Sequence, residues 1–154
     1  MHLKKLLALV VVGGIALSAV LASAQTKQTK TKGAKAAAGK ARVFFVEPKN
    51  GATVTSPVHL KFGSQGIKIE AVPPGDVTKT RPGIGHYHLG VEENCLPAGK
   101  NIVKGTPSWV HFGKAETEFD LQLTPGKHKL SLQIGDDLHN TMPGLCSTIT
   151  VTAK

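Results

Sequence analysis

Apolar residues recur at every second position in short runs that proline and glycine cut off, and that pattern commits the chain to strands. Val58, Leu60 and Phe62 alternate with His59 and Lys61. Phe119, Leu121 and Leu123 alternate with Glu118, Asp120 and Gln122, and Leu130, Leu132 and Ile134 with Lys129, Ser131 and Gln133. Successive strand side chains point to opposite faces, so each run has one face for a core and one for solvent. Thr124-Pro125-Gly126 stands between the last two runs and predicts a β-hairpin with one polar face. A short run, Val43 to Val46, ends at Pro48-Lys49-Asn50-Gly51, and Gly66 to Glu70 repeats the alternation briefly. Pro73-Pro74-Gly75 and Pro82-Gly83 bracket a loop. Trp109 to Phe112 reads as a short strand with Trp109 and His111 on one face, and a final strand, begun by Cys146, carries Ile149 and Val151. About seven short antiparallel strands in this length predict an all-β, immunoglobulin-like sandwich, with a small β-barrel as the alternative.

The first forty residues have a different character. Lys4 and Lys5 precede an almost unbroken apolar run, Leu6 to Leu21, and Ala22-Ser23-Ala24 follows as a small-x-small site. Residues 1–24 are therefore expected to be a signal peptide cleaved after Ala24, with the mature protein periplasmic or secreted. Residues 25–42 are mainly Lys, Thr, Ala and Gly, too poor in apolar groups to offset the entropy of ordering, and read as a basic disordered leader. Residues 43–154 form the single domain. The chain has 19 basic and 10 acidic residues, but only 11 of the basic ones fall in 43–154, together with all ten acids. The charge belongs to the N-terminus, which argues against a nucleic-acid-binding fold and for contact between the leader and an anionic envelope surface.

Within this frame the stretch Gly85-His86-Tyr87-His88-Leu89-Gly90-Val91 carries the chemistry. On a strand, His86 and His88 share one face with their Cα atoms roughly 6.6 Å apart, close enough for both rings to reach one ion. His111 and His139 fall near strand ends or in loops, where a sandwich can gather them with His86 and His88 at one end. Neutral imidazoles without a carboxylate suit a copper or zinc ion, and Met142 could add a thioether that tilts the set toward copper. The competing explanation is that these histidines hydrogen-bond one another and loop carbonyls. His59 and His128 read as surface or turn residues.

Cys95 and Cys146 are an even pair in an exported chain, which points to a disulfide closing a loop of about fifty residues. A soft metal-ligand pair is the alternative, disfavoured by export and by the lack of C-x-x-C spacing.

Five segments taken in order, Gly85 to Leu89, His111 to Lys114, Glu116 to Glu118, Pro125 to Leu130 and Asp136 to His139, resemble the motifs of a family of small exported bacterial proteins catalogued as a domain of unknown function. Members of that family often carry labels such as ATPase or rod-shape-determining protein. This chain has no Gly-rich loop followed by Lys and Ser or Thr that would support the former. The family's first motif typically runs His-His-His-Leu, and Tyr87 replaces its middle histidine here, sparing the two that share a face. The resemblance implies export and a β-sandwich, and it implies no activity.

The residues favour an exported metal-binding module, with copper as the expected ion, acting as carrier or buffer. The alternative from another class is an envelope interaction module using no metal, with Trp109, Tyr87 and the proline-rich loop as its contact surface. A copper-dependent enzyme resembling superoxide dismutase is a lesser alternative, since no further histidine lies between His88 and His111. No nucleophile elbow is present either, so catalysis is the weaker expectation.

Overall fold

The computed structural model of the chain describes residues 40–154. The expected signal peptide and most of the leader lie outside the described residues.

The described residues form nine strands and no helix: β1 (Arg42–Glu47), β2 (Thr53–Val54), β3 (Val58–Gln65), β4 (Lys68–Ile69), β5 (Ile84–Val91), β6 (Trp109–His111), β7 (Glu118–Leu121), β8 (Gly126–Gly135) and β9 (Thr141–Ala153). They make two sheets, one ordered β1-β3-β7 and the other β2-β9-β8-β5-β4, with β6 also paired to β5. The all-β sandwich expected from the alternation is the fold. Pairing is antiparallel except for the two-residue strands β2 and β4, which run parallel to β9 and β5.

The core lies where the alternating apolar residues of both sheets meet. Val58, Leu60 and Phe62 of β3 face Tyr87 and Leu89 of β5 and Leu130, Leu132 and Ile134 of β8, all nearly inaccessible. Phe62 joins the two layers, its ring centroid 5.4 Å from Tyr87 and 5.1 Å from Phe112. Burying side chains of this size stabilises the fold by roughly 1.5–3 kcal/mol each.

The structure corrects three details. The runs either side of Thr124-Pro125-Gly126 do not form a hairpin: β7 pairs with β3, whereas β8 pairs with β5 and β9. The turn carries the chain from one sheet to the other, and both runs point their apolar residues into the same core. Alternation specifies the buried face and is silent on lateral partners. The last strand begins at Thr141, so Cys146 sits within it. The polar alternates of β8 are also not a wet face, because Ser131 and Gln133 are fully buried.

The segment between β5 and β6 explains that burial. It crosses the outer face of the larger sheet, held by Ser131 Oγ donating to the Glu93 carbonyl (2.7 Å), by Gln133 exchanging two bonds with the Leu96 backbone (both 2.9 Å), and by the Ile102 amide donating to the His139 carbonyl (2.8 Å). The Cys95–Cys146 disulfide pins the same segment to β9. Strands β5 and β8 are therefore covered on both faces, by the core on one side and by this crossing loop on the other.

Candidate metal centre

The alternation in β5 places Tyr87 and Leu89 in the core and leaves His86 and His88 on the outer, loop-covered face. Register then determines their neighbours. His88 lies between Gln133 of β8 and His111 of β6, and His86 lies opposite Gly135, where β8 ends. The fourth histidine comes from the turn that follows. Asp136 organises that turn: its Oδ1 accepts from the Leu138 and Asn140 amides (both 2.9 Å), and its carbonyl accepts from the His139 amide (2.8 Å). His139 takes a left-handed φ of 65°, a conformation that non-glycine residues hold only when their surroundings fix it. Asn101 Nδ2, donating to the Leu138 carbonyl (2.8 Å), completes that fixation. The result brings His139 Nε2 to 3.1 Å from His111 Nε2, with one ring donating to the other.

The four imidazoles form a compact group, with one nitrogen from each lying within 4.8 Å of the others. Their six centroid separations run from 4.5 to 5.6 Å and average about 5.0 Å. Four points with six similar separations describe a tetrahedron. An ion bound at ~2.0–2.1 Å lies roughly 3.2 Å from each imidazole centroid, so tetrahedral ligation spaces the centroids by about 5.2 Å. Square-planar ligation would instead need two diagonals of about 6.4 Å. No pair here is that far apart. The four histidines could hold a tetrahedral ion.

Burial makes the arrangement chemically unusual. His86 and His88 are 0% exposed, and none of their four ring nitrogens has a hydrogen-bond partner. Loss of solvent, reinforced by the neighbouring imidazoles, lowers His86 to about 3 and His88 to about 2. His111 and His139 are lowered for the same reason, with the Lys104 ammonium adding to the effect. All four are therefore neutral at ordinary pH, so each has one nitrogen lone pair to offer, the state a metal ligand requires.

Supporting residues hold the rings. An added Cβ at Gly135 would stand 2.7 Å from His88 Cε1, and one at Gly113 would stand 2.9 Å from His111 Nε2, so both glycines leave room for a ring. Asp137, 2% exposed, is clamped by Arg81: Oδ2 accepts from the Arg81 amide (2.9 Å) and Nε (3.0 Å), and Oδ1 from an Nη group (2.8 Å). The guanidinium holds the Asp137 carboxyl below its usual range, and its other arm reaches Glu70 at 2.6 Å. This ties the loop before β5 to the turn that carries His139. Lys104 lines two clefts, one of about 270 Å³ bordered by His139 and one of about 690 Å³ bordered by His111. These open sides offer an ion a way in, with His86 and His88 behind.

Sequence reasoning singled out the four histidines that converge, and it assigned no role to Arg81, Asp137, Lys104, Gly113 or Gly135. Arg81, one of only two arginines in a lysine-rich chain, was the available signal, since a planar fork suits a carboxylate where lysine does not. Met142 lies half-buried in β9 with its sulfur beside Gly85, the residue before His86. Cys95 and Cys146 are bonded to each other, so neither offers a thiolate. The position of the cluster adds to expectation: it sits where β5 begins and β8 ends, on the outer face of one sheet. His59 pairs with Asp120 on the surface, and His128 bridges Glu92 and the Thr124 carbonyl. Trp109 and Tyr87 are 6% and 2% exposed, so neither can supply the contact surface expected of them.

The model of a family described as a domain of unknown function (DUF4399) matches residues 58–154, a span that includes all four histidines and both cysteines. No curated protein and no solved structure matches the chain.

Proposed function

The chain belongs to the DUF4399 family, and we propose that it is an exported metal-binding module that carries or buffers copper through His86, His88, His111 and His139. The observation that carries this reading is the four unpartnered ring nitrogens of His86 and His88. An unsatisfied buried polar group costs ~1–3 kcal/mol, and burying two imidazoles this way is unfavourable unless something occupies their lone pairs. Tetrahedral disposition and a neutral protonation state support the same conclusion. Four protein donors leave no open position for a substrate, which favours storage or delivery over catalysis.

Export rests on the sequence of residues 1–24, with cleavage after Ala24 into a periplasmic or secreted form. The basic leader, residues 25–42, would hold that form near anionic surfaces.

The test is retention of metal. The oxidised mature protein is incubated with Cu(II), with Cu(I) under reductant, or with Zn(II), desalted, and assayed for bound metal. One equivalent retained by the wild type, and lost in His86→Ala/His88→Ala and in the milder His139→Ala, is expected. Circular dichroism establishes that each variant folds. A wild type that retains no ion refutes the proposal.

A further inference from the structure

Resting on the metal-binding reading, we infer that the site is built for cuprous copper, Cu(I), in preference to Cu(II) and Zn(II). Two independent features of the site carry this, its shape and its charge.

Shape opposes Cu(II). A cupric ion with nitrogen donors prefers a square or tetragonal arrangement, whereas d10 ions accept a tetrahedron without penalty. Flattening this group would require two of the six centroid separations to grow to about 6.4 Å, and the longest is 5.6 Å. The supports resist that movement. His86 and His88 are on a strand paired along both edges. Gly135 closes on the edge of the His88 ring and Gly113 on the His111 ring. His139 sits in a turn fixed by Asp136, Asn101 and Ile102. Ring rotation can draw the nitrogens together at nearly fixed centroids, whereas flattening would move the strand and turn that carry the rings, and interiors packed this closely resist that movement.

Charge opposes Zn(II). All four donors are neutral imidazoles, and the disulfide removes both cysteines as thiolates. The nearby carboxylates are already committed. Asp137 pairs with Arg81, Asp136 Oδ1 accepts two backbone amides, and Glu116 Oε2 accepts the Lys114 amide. The cleft bordered by His139 is lined by Lys104 as well as Asp76 and the Arg81-paired Asp137, so cation and carboxylate share that wall. A divalent ion would bring a second charge that none of its ligands neutralises, beside two fully buried rings. Desolvating charge without a counter-charge is what the protein interior tolerates least, and a monovalent ion halves that burden.

The experiment is competition. The oxidised mature protein, with reductant confined to conditions that leave the disulfide intact, is titrated against a chromophoric Cu(I) chelator and, separately, against Cu(II) and Zn(II) chelators. Withdrawal of one equivalent of Cu(I), with affinity exceeding that for Cu(II) by about a hundredfold or more and no displacement by excess Zn(II), is expected. Tighter binding of Cu(II), or displacement of Cu(I) by zinc, overturns the inference while leaving a metal-binding protein. Binding of no ion removes both readings. A second variant probes charge without touching a ligand: Lys104→Glu places a carboxylate on the exposed cleft wall and should shift preference toward Zn(II) at least about tenfold. An unchanged ratio overturns the argument against zinc.

Discussion

Mild acid should destabilise the metal-free domain, in a pH range where ordinary β-sandwiches lose little stability. The perturbation is a fall from pH 8 to pH 5. In the unfolded chain His86 and His88 titrate near 6.5, whereas in the folded domain burial holds them at about 3 and about 2. Between those values the unfolded state binds protons that the folded state cannot, so stability falls as pH drops through 6.5 and goes on falling until the folded rings themselves titrate. At pH 5 each histidine contributes a loss of about 2 kcal/mol relative to pH 8, and the two together about 4 kcal/mol. His111 and His139, lowered in the same direction, add to the loss. His128 works against it, because its raised value, from the Thr124 carbonyl and Glu92, makes protonation stabilising below its ordinary range.

A loss of this size is a large fraction of the 5–15 kcal/mol typical of a domain. Urea unfolding of the metal-free mature protein, followed by the fluorescence of its one tryptophan, Trp109, should show the midpoint falling by roughly 1–4 M between pH 8 and pH 5. The carboxylates cannot imitate this, since Asp137 and Glu70 are held below their ordinary values and titrate under pH 5. A midpoint that stays level from pH 8 to pH 5 would refute the claim that these two rings are buried, neutral and unpartnered.

Three further outcomes follow from the supports of the site. Replacing both cysteines, Cys95→Ala/Cys146→Ala, opens a bridge spanning 51 residues and should cost about 4 kcal/mol on the chain-entropy account, read as a lower urea midpoint with a steeper slope, since the unfolded chain expands. Gly135→Ala drives a methyl into the His88 ring, and it should lower metal affinity about 10- to 100-fold, measured by chelator competition, with about 1–3 kcal/mol of overpacking cost in the metal-free protein. Arg81→Met keeps the side-chain stem but strands the Asp137 carboxylate; because Arg81 is itself 35% exposed, a loss of about 1–3 kcal/mol near neutral pH is expected rather than the full buried-pair figure. That deficit should shrink as pH falls through the ordinary carboxylate range, where the stranded group can protonate, and equal deficits at pH 7 and pH 3 would count against the pairing.

What could be read from the sequence was whatever depends on neighbours two residues apart. Period-two alternation identified the core face of β3, β5 and β8, and it put His86 and His88 together on the opposite face. Lateral pairing was not legible, because Leu121 and Leu132 present the same pattern whether their strands lie side by side or face each other across a core. Nor was the means by which His139 joins the group, a left-handed φ at a non-glycine residue, or the clamp from Arg81 to Asp137 across 56 residues. One signal did separate the covered face from the wet one, and it lies in charge rather than polarity. The outward residues of β3 and β7 include His59, Lys61, Glu118 and Asp120, which pair with one another in solvent. On the buried outer face, β5 and the second half of β8 offer only His86, His88, Gly90, Ser131, Gln133 and Gly135. A face that meets water tolerates full charges, whereas a face destined for cover tolerates polar groups only where each finds a partner. Ser131 and Gln133 find theirs in the crossing loop. His86 and His88 find none, and on a face where Ser131 and Gln133 are satisfied, the ion proposed above would take one nitrogen of each ring.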